Sequence, residues 1–178
     1  MTIVPGPAIG VAPLRSATMS ERPAGRSATA VGESPLILGY AGLLPQIAAA
    51  ATCFFGDASD IGPMFAFGYA TLILSFLGGI WWGFAMMTAD GQGRIACWAV
   101  APSLFGAALI LLSIAHVLTL NWALVLLGSA VMMTLLIDRR LVEAHIAPEG
   151  WLAMRVPLSI GLGALTILCG IICGVSMP

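Results

Sequence analysis

Five apolar stretches, spaced so closely that little chain is left between them, constrain this sequence more than any other feature. They run over about residues 35–55, 64–87, 95–116, 118–137 and 154–175. A helix needs roughly 20 apolar residues to cross a hydrocarbon core ~30 Å thick, and each stretch is long enough. Helices are the economical solution, because lipid offers no partners to backbone N–H and C=O groups and five isolated spans cannot close a barrel. Composition agrees: 60% of the 178 residues are hydrophobic and 8% are charged. A chain this apolar cannot cover itself with a polar surface. The expected fold is therefore all-α, a polytopic membrane protein built as a bundle of five transmembrane helices over residues 35–178. The preceding residues 1–34 are rich in Pro, Ala, Gly and Ser and carry no sustained apolar run, which predicts a disordered cytoplasmic tail.

Orientation is read from the cations. There is no lysine, and all seven strong cations are arginines. Arg15, Arg22 and Arg26 lie in the tail, Arg94 in the second loop, and Arg139, Arg140 and Arg155 around the fourth. Alternating the sides of the five spans puts every arginine on one side. The positive-inside rule then predicts a cytoplasmic N-terminus and a periplasmic C-terminus in a bacterial inner membrane. A mitochondrial inner membrane is the alternative. Trp98, Trp122 and Trp151 fall near span ends, where aromatic anchors are common. Asp57 and Asp60 read as turn residues of the first loop.

Polar and small residues inside the spans supply the candidate sites. On the second span Thr71, Ser75, Gly79 and Gly83 recur every fourth residue, beside Gly78, Trp81 and Trp82. Small residues let helix backbones approach closely, so this stripe predicts a packing seam inside the bundle or a partner cleft walled by the two tryptophans. Asp138 and Arg155 lie at facing span ends and can pair. With Arg139 and Gln46 they form a candidate polar or anionic-lipid site. Gln46 follows Pro45, which is expected to kink the first span, and its amide can bond a freed carbonyl or Ser75. Pro102 and Ser103 repeat that pattern in the third span. Cys169 and Cys173 sit one turn apart, and burial explains them and Cys53 better than metal binding. His116 and His145 fall at opposite ends of the bundle, which disfavours a haem held by both. No nucleophile–base pattern, zinc-protease motif or phosphate-binding glycine loop is present, so no cofactor, no catalysis and no nucleic-acid partner is expected.

The run Leu74-Ser75-Phe76-Leu77-Gly78-Gly79-Ile80-Trp81-Trp82-Gly83 resembles the signature of the transmembrane protein 69 family. The likeness extends to Leu38 to Pro45, to Ala101-Pro102-Ser103, to Asp138-Arg139 and to Arg155-Val156-Pro157-Leu158, in that order along residues 35–175. It implies a five-span membrane domain with bacterial and mitochondrial members, and no defined activity. The expected role is a non-catalytic accessory or assembly subunit in the lipid bilayer beside other membrane subunits. A small transporter or lipid-binding protein is the alternative.

Overall fold

The computed structural model describes residues 33–55, 61–148 and 150–176. Residues 1–32 of the expected tail, with Arg15, Arg22 and Arg26, lie outside the described residues, as do Asp57 and Asp60. Six helices follow in order: α1 (Glu33–Ala41), α2 (Leu44–Phe55), α3 (Ile61–Met86), α4 (Gln92–Ile114), α5 (Leu120–Glu143) and α6 (Trp151–Ser176). They make five segments long and apolar enough to cross a membrane, because α1 and α2 together form the first, Leu36–Phe55. No strand occurs among the described residues.

Pro45 is expected to kink the first span, and the structure breaks it instead. The ring of a proline clashes with the carbonyl four residues earlier and leaves that carbonyl without a donor. Helix α1 stops at Ala41, four residues before Pro45, and α2 restarts so that Pro45 sits in its first turn. There a missing N–H costs nothing, since first-turn donors have no intrahelical acceptor. The two-residue break is closed by Gly42 N–H donating to Leu38 O at 3.0 Å and Leu43 N–H donating to Tyr40 O at 3.0 Å. Tyr69 of α3 donates its hydroxyl to Gly42 O, tying the break to the bundle.

Two helix pairs form the frame. Helices α5 and α6 pack most extensively, followed by α3 and α4, whereas α4 touches α5 only sparingly. The first pair meets glycine to glycine. A Cβ on Gly128 would stand 2.6 Å from Gly163 O, and one on Gly163 would stand 2.7 Å from Gly128 O. Farther along, a Cβ on Gly170 would stand 2.7 Å from Asn121 O. Without a hydrophobic drive between helices in lipid, such close approach supplies the packing contacts that hold them. The central core contains Leu74, Leu109, Leu127, Val131 and Leu162, drawn from α3, α4, α5 and α6.

Helices α4 and α5 both end on a histidine in the left-handed region, His116 at φ 54° and His145 at φ 57°. The returning backbone bonds are those of a helix stop. Val117 N–H reaches Leu112 O at 3.0 Å, and Ile146 N–H reaches Leu141 O at 2.9 Å. Both histidines are exposed, so neither side chain repays the backbone strain. His145→Gly is expected to raise the unfolding free energy by about 1 kcal/mol, read as a higher midpoint in thermal melts of the detergent-solubilised protein.

Candidate functional site

Thr134 and Asp138 of α5, Arg155 and Trp151 of α6 and the indole of Trp81 on α3 converge at the end of the bundle where α5 stops and α6 begins. Asp138 of α5 has no exposed surface, and Arg155 of α6 is 5% exposed. Arg155 Nε donates to Asp138 Oδ2 at 3.0 Å. Two indoles share the other oxygen: Trp81 Nε1 donates to Asp138 Oδ1 at 2.8 Å, and Trp151 Nε1 donates to it at 3.1 Å. Arg155 Nη2 also reaches Thr134 Oγ1 at 3.4 Å. The guanidinium carbon lies 5.8 Å from the centre of the Trp151 ring, within cation–π range. Phe84 meets Trp151 edge-on at 5.6 Å, and Ala85, Ala99, Leu141 and Ala147 close the surroundings. A buried carboxylate is tolerable only when charge-paired and hydrogen-bonded. Here three N–H donors from three residues meet both conditions.

Chemically this is a clasp. Three donors fill the carboxylate, and packed side chains surround it. The far side of Arg155 opens differently, onto a cavity of about 180 Å³ bounded by Gly39, Gly42 and Leu158. Ser159 borders the same cavity, with its Oγ buried and without a hydrogen-bond partner among the described residues.

The structure separates the other members of the expected polar site. Arg139 points outward and pairs with Glu143 at 2.8 Å on the exposed face of α5, remote from Arg155. Gln46 bonds neither a freed carbonyl nor Ser75. Its Nε2 donates to Thr166 Oγ1 at 2.9 Å, stitching α2 to α6, and the Thr166 hydroxyl in turn donates to Leu162 O at 2.7 Å. Ser75 instead meets Ser103 of α4 at 2.8 Å. Asp138 and Arg155 are therefore together, while Gln46 and Arg139 each belong elsewhere.

The small-residue stripe also divides. Thr71, Ser75 and Gly78 face α4: a Cβ on Gly106 would stand 2.9 Å from Thr71 Cγ2, and one on Gly78 would collide with the Ala99 carbonyl. Gly79 and Gly83 face outward, with nothing among the described residues within 4 Å of the place a Cβ would take. Helix geometry explains the division. At 3.6 residues per turn, a four-residue repeat drifts about 40° per step, so Gly83 lies about 120° around the helix from Thr71. The seam follows Thr71, Ser75 and Gly78, whose mean spacing stays nearer the helical period. The two tryptophans part as well. Trp81 is the buried donor to Asp138, and Trp82 is exposed beside Gly79 and Gly83. Trp151, expected as an interfacial anchor, is buried in the clasp, whereas Trp98 and Trp122 are exposed near the starts of α4 and α5.

Sequence reasoning missed Trp151 as a donor and Thr134 as the second acceptor for Arg155. Cys53 of α2 meets Cys169 and Cys173 of α6, and all are thiols. Among the described residues no group of three or more His, Cys, Asp or Glu side chains is arranged to hold a metal ion.

Comparison with known proteins gives one family. No curated protein and no solved structure matches the chain. A family model described as a protein of unknown function, DUF3429, matches residues 31–171, which take in the first four membrane-length segments, the fifth as far as Ile171, and every member of the clasp. The chain belongs to the DUF3429 family.

Proposed function

We propose that this protein is a non-catalytic accessory or assembly subunit that packs against a transmembrane helix of a larger complex through the outer face of α3. One observation carries the reading. Gly79 and Gly83 form a notch with open space over both Cα atoms, rimmed by exposed Phe76 and Trp82. Glycine in a helix interior forgoes about 0.5–1 kcal/mol relative to alanine, and among the described residues nothing packs into the notch to offset that cost. A helix seated there would gain close backbone contact, the usual means of association in lipid.

The membrane in this reading is the bacterial inner membrane, with the N-terminus in the cytoplasm. The arginine distribution supports it: Arg94, Arg139, Arg140 and Arg155 all lie at the end of the bundle where α4 begins, α5 ends and α6 begins. The resemblance to the transmembrane protein 69 family, which has bacterial and mitochondrial members, supports the bacterial inner membrane, with the mitochondrial inner membrane as the alternative.

Photo-crosslinking in native membranes tests the contact. A crosslinker at Phe76 or Gly79 is expected to trap one defined partner band, absent when it is placed at Leu104, an exposed position on α4. Gly79→Leu with Gly83→Leu should abolish the band while leaving the isolated protein at least as stable, because each replaced glycine returns about 0.5–1 kcal/mol of helix stability. Equal crosslinking from Phe76 and Leu104, or a native-gel species of monomer size in mild detergent, would sink the reading.

A further inference from the structure

We propose that the groove between α4 and α5 is a binding site for one anionic glycerophospholipid, with its phosphate held by Arg94 and Arg140 and an acyl chain lying over Trp81. The site is on the opposite face of α3 from the Gly79 notch and does not depend on that contact.

The groove exists because α4 leans on α3 and touches α5 only sparingly. Its apolar part has a volume of about 580 Å³, with Leu74 and Trp81 of α3 as floor and Pro102, Phe105 and Met133 among its walls. Through Trp81, Trp98, Ile137 and Arg140 it continues into a second space of about 280 Å³ that Arg94 borders. The combined slot is apolar along its length and cationic at one end.

Charge accounting singles out these two cations. Of the four described arginines, Arg155 is neutralised by Asp138 and Arg139 by Glu143. Arg94 and Arg140 make no ion pair among the described residues. Arg94 stands in the first turn of α4, which contains no acidic residue and whose preceding residue, Gly91, supplies no side-chain cap. First-turn N–H groups and the positive end of the helix dipole add to the same field. Exposed Trp98 borders both parts of the slot, at the level where indoles favour the headgroup boundary. Two unneutralised cations beside a chain-sized apolar slot match an anionic headgroup joined to a hydrocarbon tail. A free phosphate would use the cations and leave the slot bare.

The test uses the full-length protein in mild detergent, titrated with phosphatidylglycerol or phosphatidylcholine of identical chains and read by native mass spectrometry. Phosphatidylglycerol is expected to bind more tightly by on the order of 25-fold, about fivefold from each arginine. Arg94→Gln and Arg140→Gln should each remove about fivefold, and the lysine variants should keep the preference. Arg139→Gln should change nothing, because that side chain faces away. Ala101→Phe, which fills the apolar part, should weaken both lipids, with an unshifted melting curve showing that the bundle remains folded. Millimolar glycerol 3-phosphate should fail to compete. Equal binding of the two lipids, an Arg139→Gln loss matching that of Arg140→Gln, or displacement by glycerol 3-phosphate would overturn the proposal. So would a crosslink from Ala101 to another protein in native membranes, which would make the groove a helix-docking site.

Discussion

Asp138→Ala is expected to lower the unfolding free energy by about 3–5 kcal/mol, the usual cost of stranding one member of a buried ion pair. The loss has three parts. Arg155 keeps its charge in a pocket with 5% exposure, and Trp81 and Trp151 each keep an indole N–H with no acceptor. Denaturant titration in mixed micelles, followed by tryptophan fluorescence, reads the change. Adding Arg155→Met should recover a substantial part, because removing both charges also removes their desolvation cost. If the double variant is as unstable as the sum of the two single variants, Asp138 and Arg155 act independently and the clasp is not a pair.

Alanine at Gly163 is the second large effect. Its methyl group would stand 2.7 Å from Gly128 O and 2.7 Å from Met132 Cγ, so α5 and α6 must separate or tilt. A cost of about 1–3 kcal/mol is expected, at the upper end because the obstacle on one side is backbone. Gly128→Ala should cost a similar amount, and the double variant less than the sum, since either methyl group alone opens the crossing. Gly79→Ala and Gly83→Ala provide the contrast: with open space around both positions they are expected to be neutral or to gain up to about 1 kcal/mol. The same denaturant titrations measure all five proteins, and a Gly163→Ala variant as stable as Gly79→Ala would contradict the close crossing of α5 and α6.

The sequence made the spans legible because apolar length is a property of each segment alone, and lipid selects helices from it. The first span shows the limit of that approach. Pro45 announced a distortion, but whether the helix bends or stops depends on a tertiary partner, here the Tyr69 hydroxyl on Gly42 O. Asp138 and Arg155 were readable as a pair, being costly charges at facing span ends. That two tryptophans from different helices would bond the same oxygen was not readable, because an indole near a span end looks the same whether it faces lipid or a carboxylate. The glycines misled for a geometric reason. An exact repeat of four draws the eye to Thr71 through Gly83, while the tighter seam on α6, with Ser159, Gly163, Thr166 and Gly170, alternates steps of four and three. That mean spacing stays on one face of a helix, and counting it would have found Gly163 and Gly170.

The shared oxygen of Asp138 also sets an order of events when the chain is made. Trp81 enters the membrane with α3, well before Asp138 arrives with α5, whereas Arg155 and Trp151 come last with α6. A nascent chain that has inserted five helices carries a carboxylate with one of its three eventual donors, Trp81. Closure of the bundle around its polar centre therefore waits for the final helix. Truncation just before Trp151 would leave an acid inside the membrane boundary with no cation from α6, the kind of defect that membrane quality control recognises.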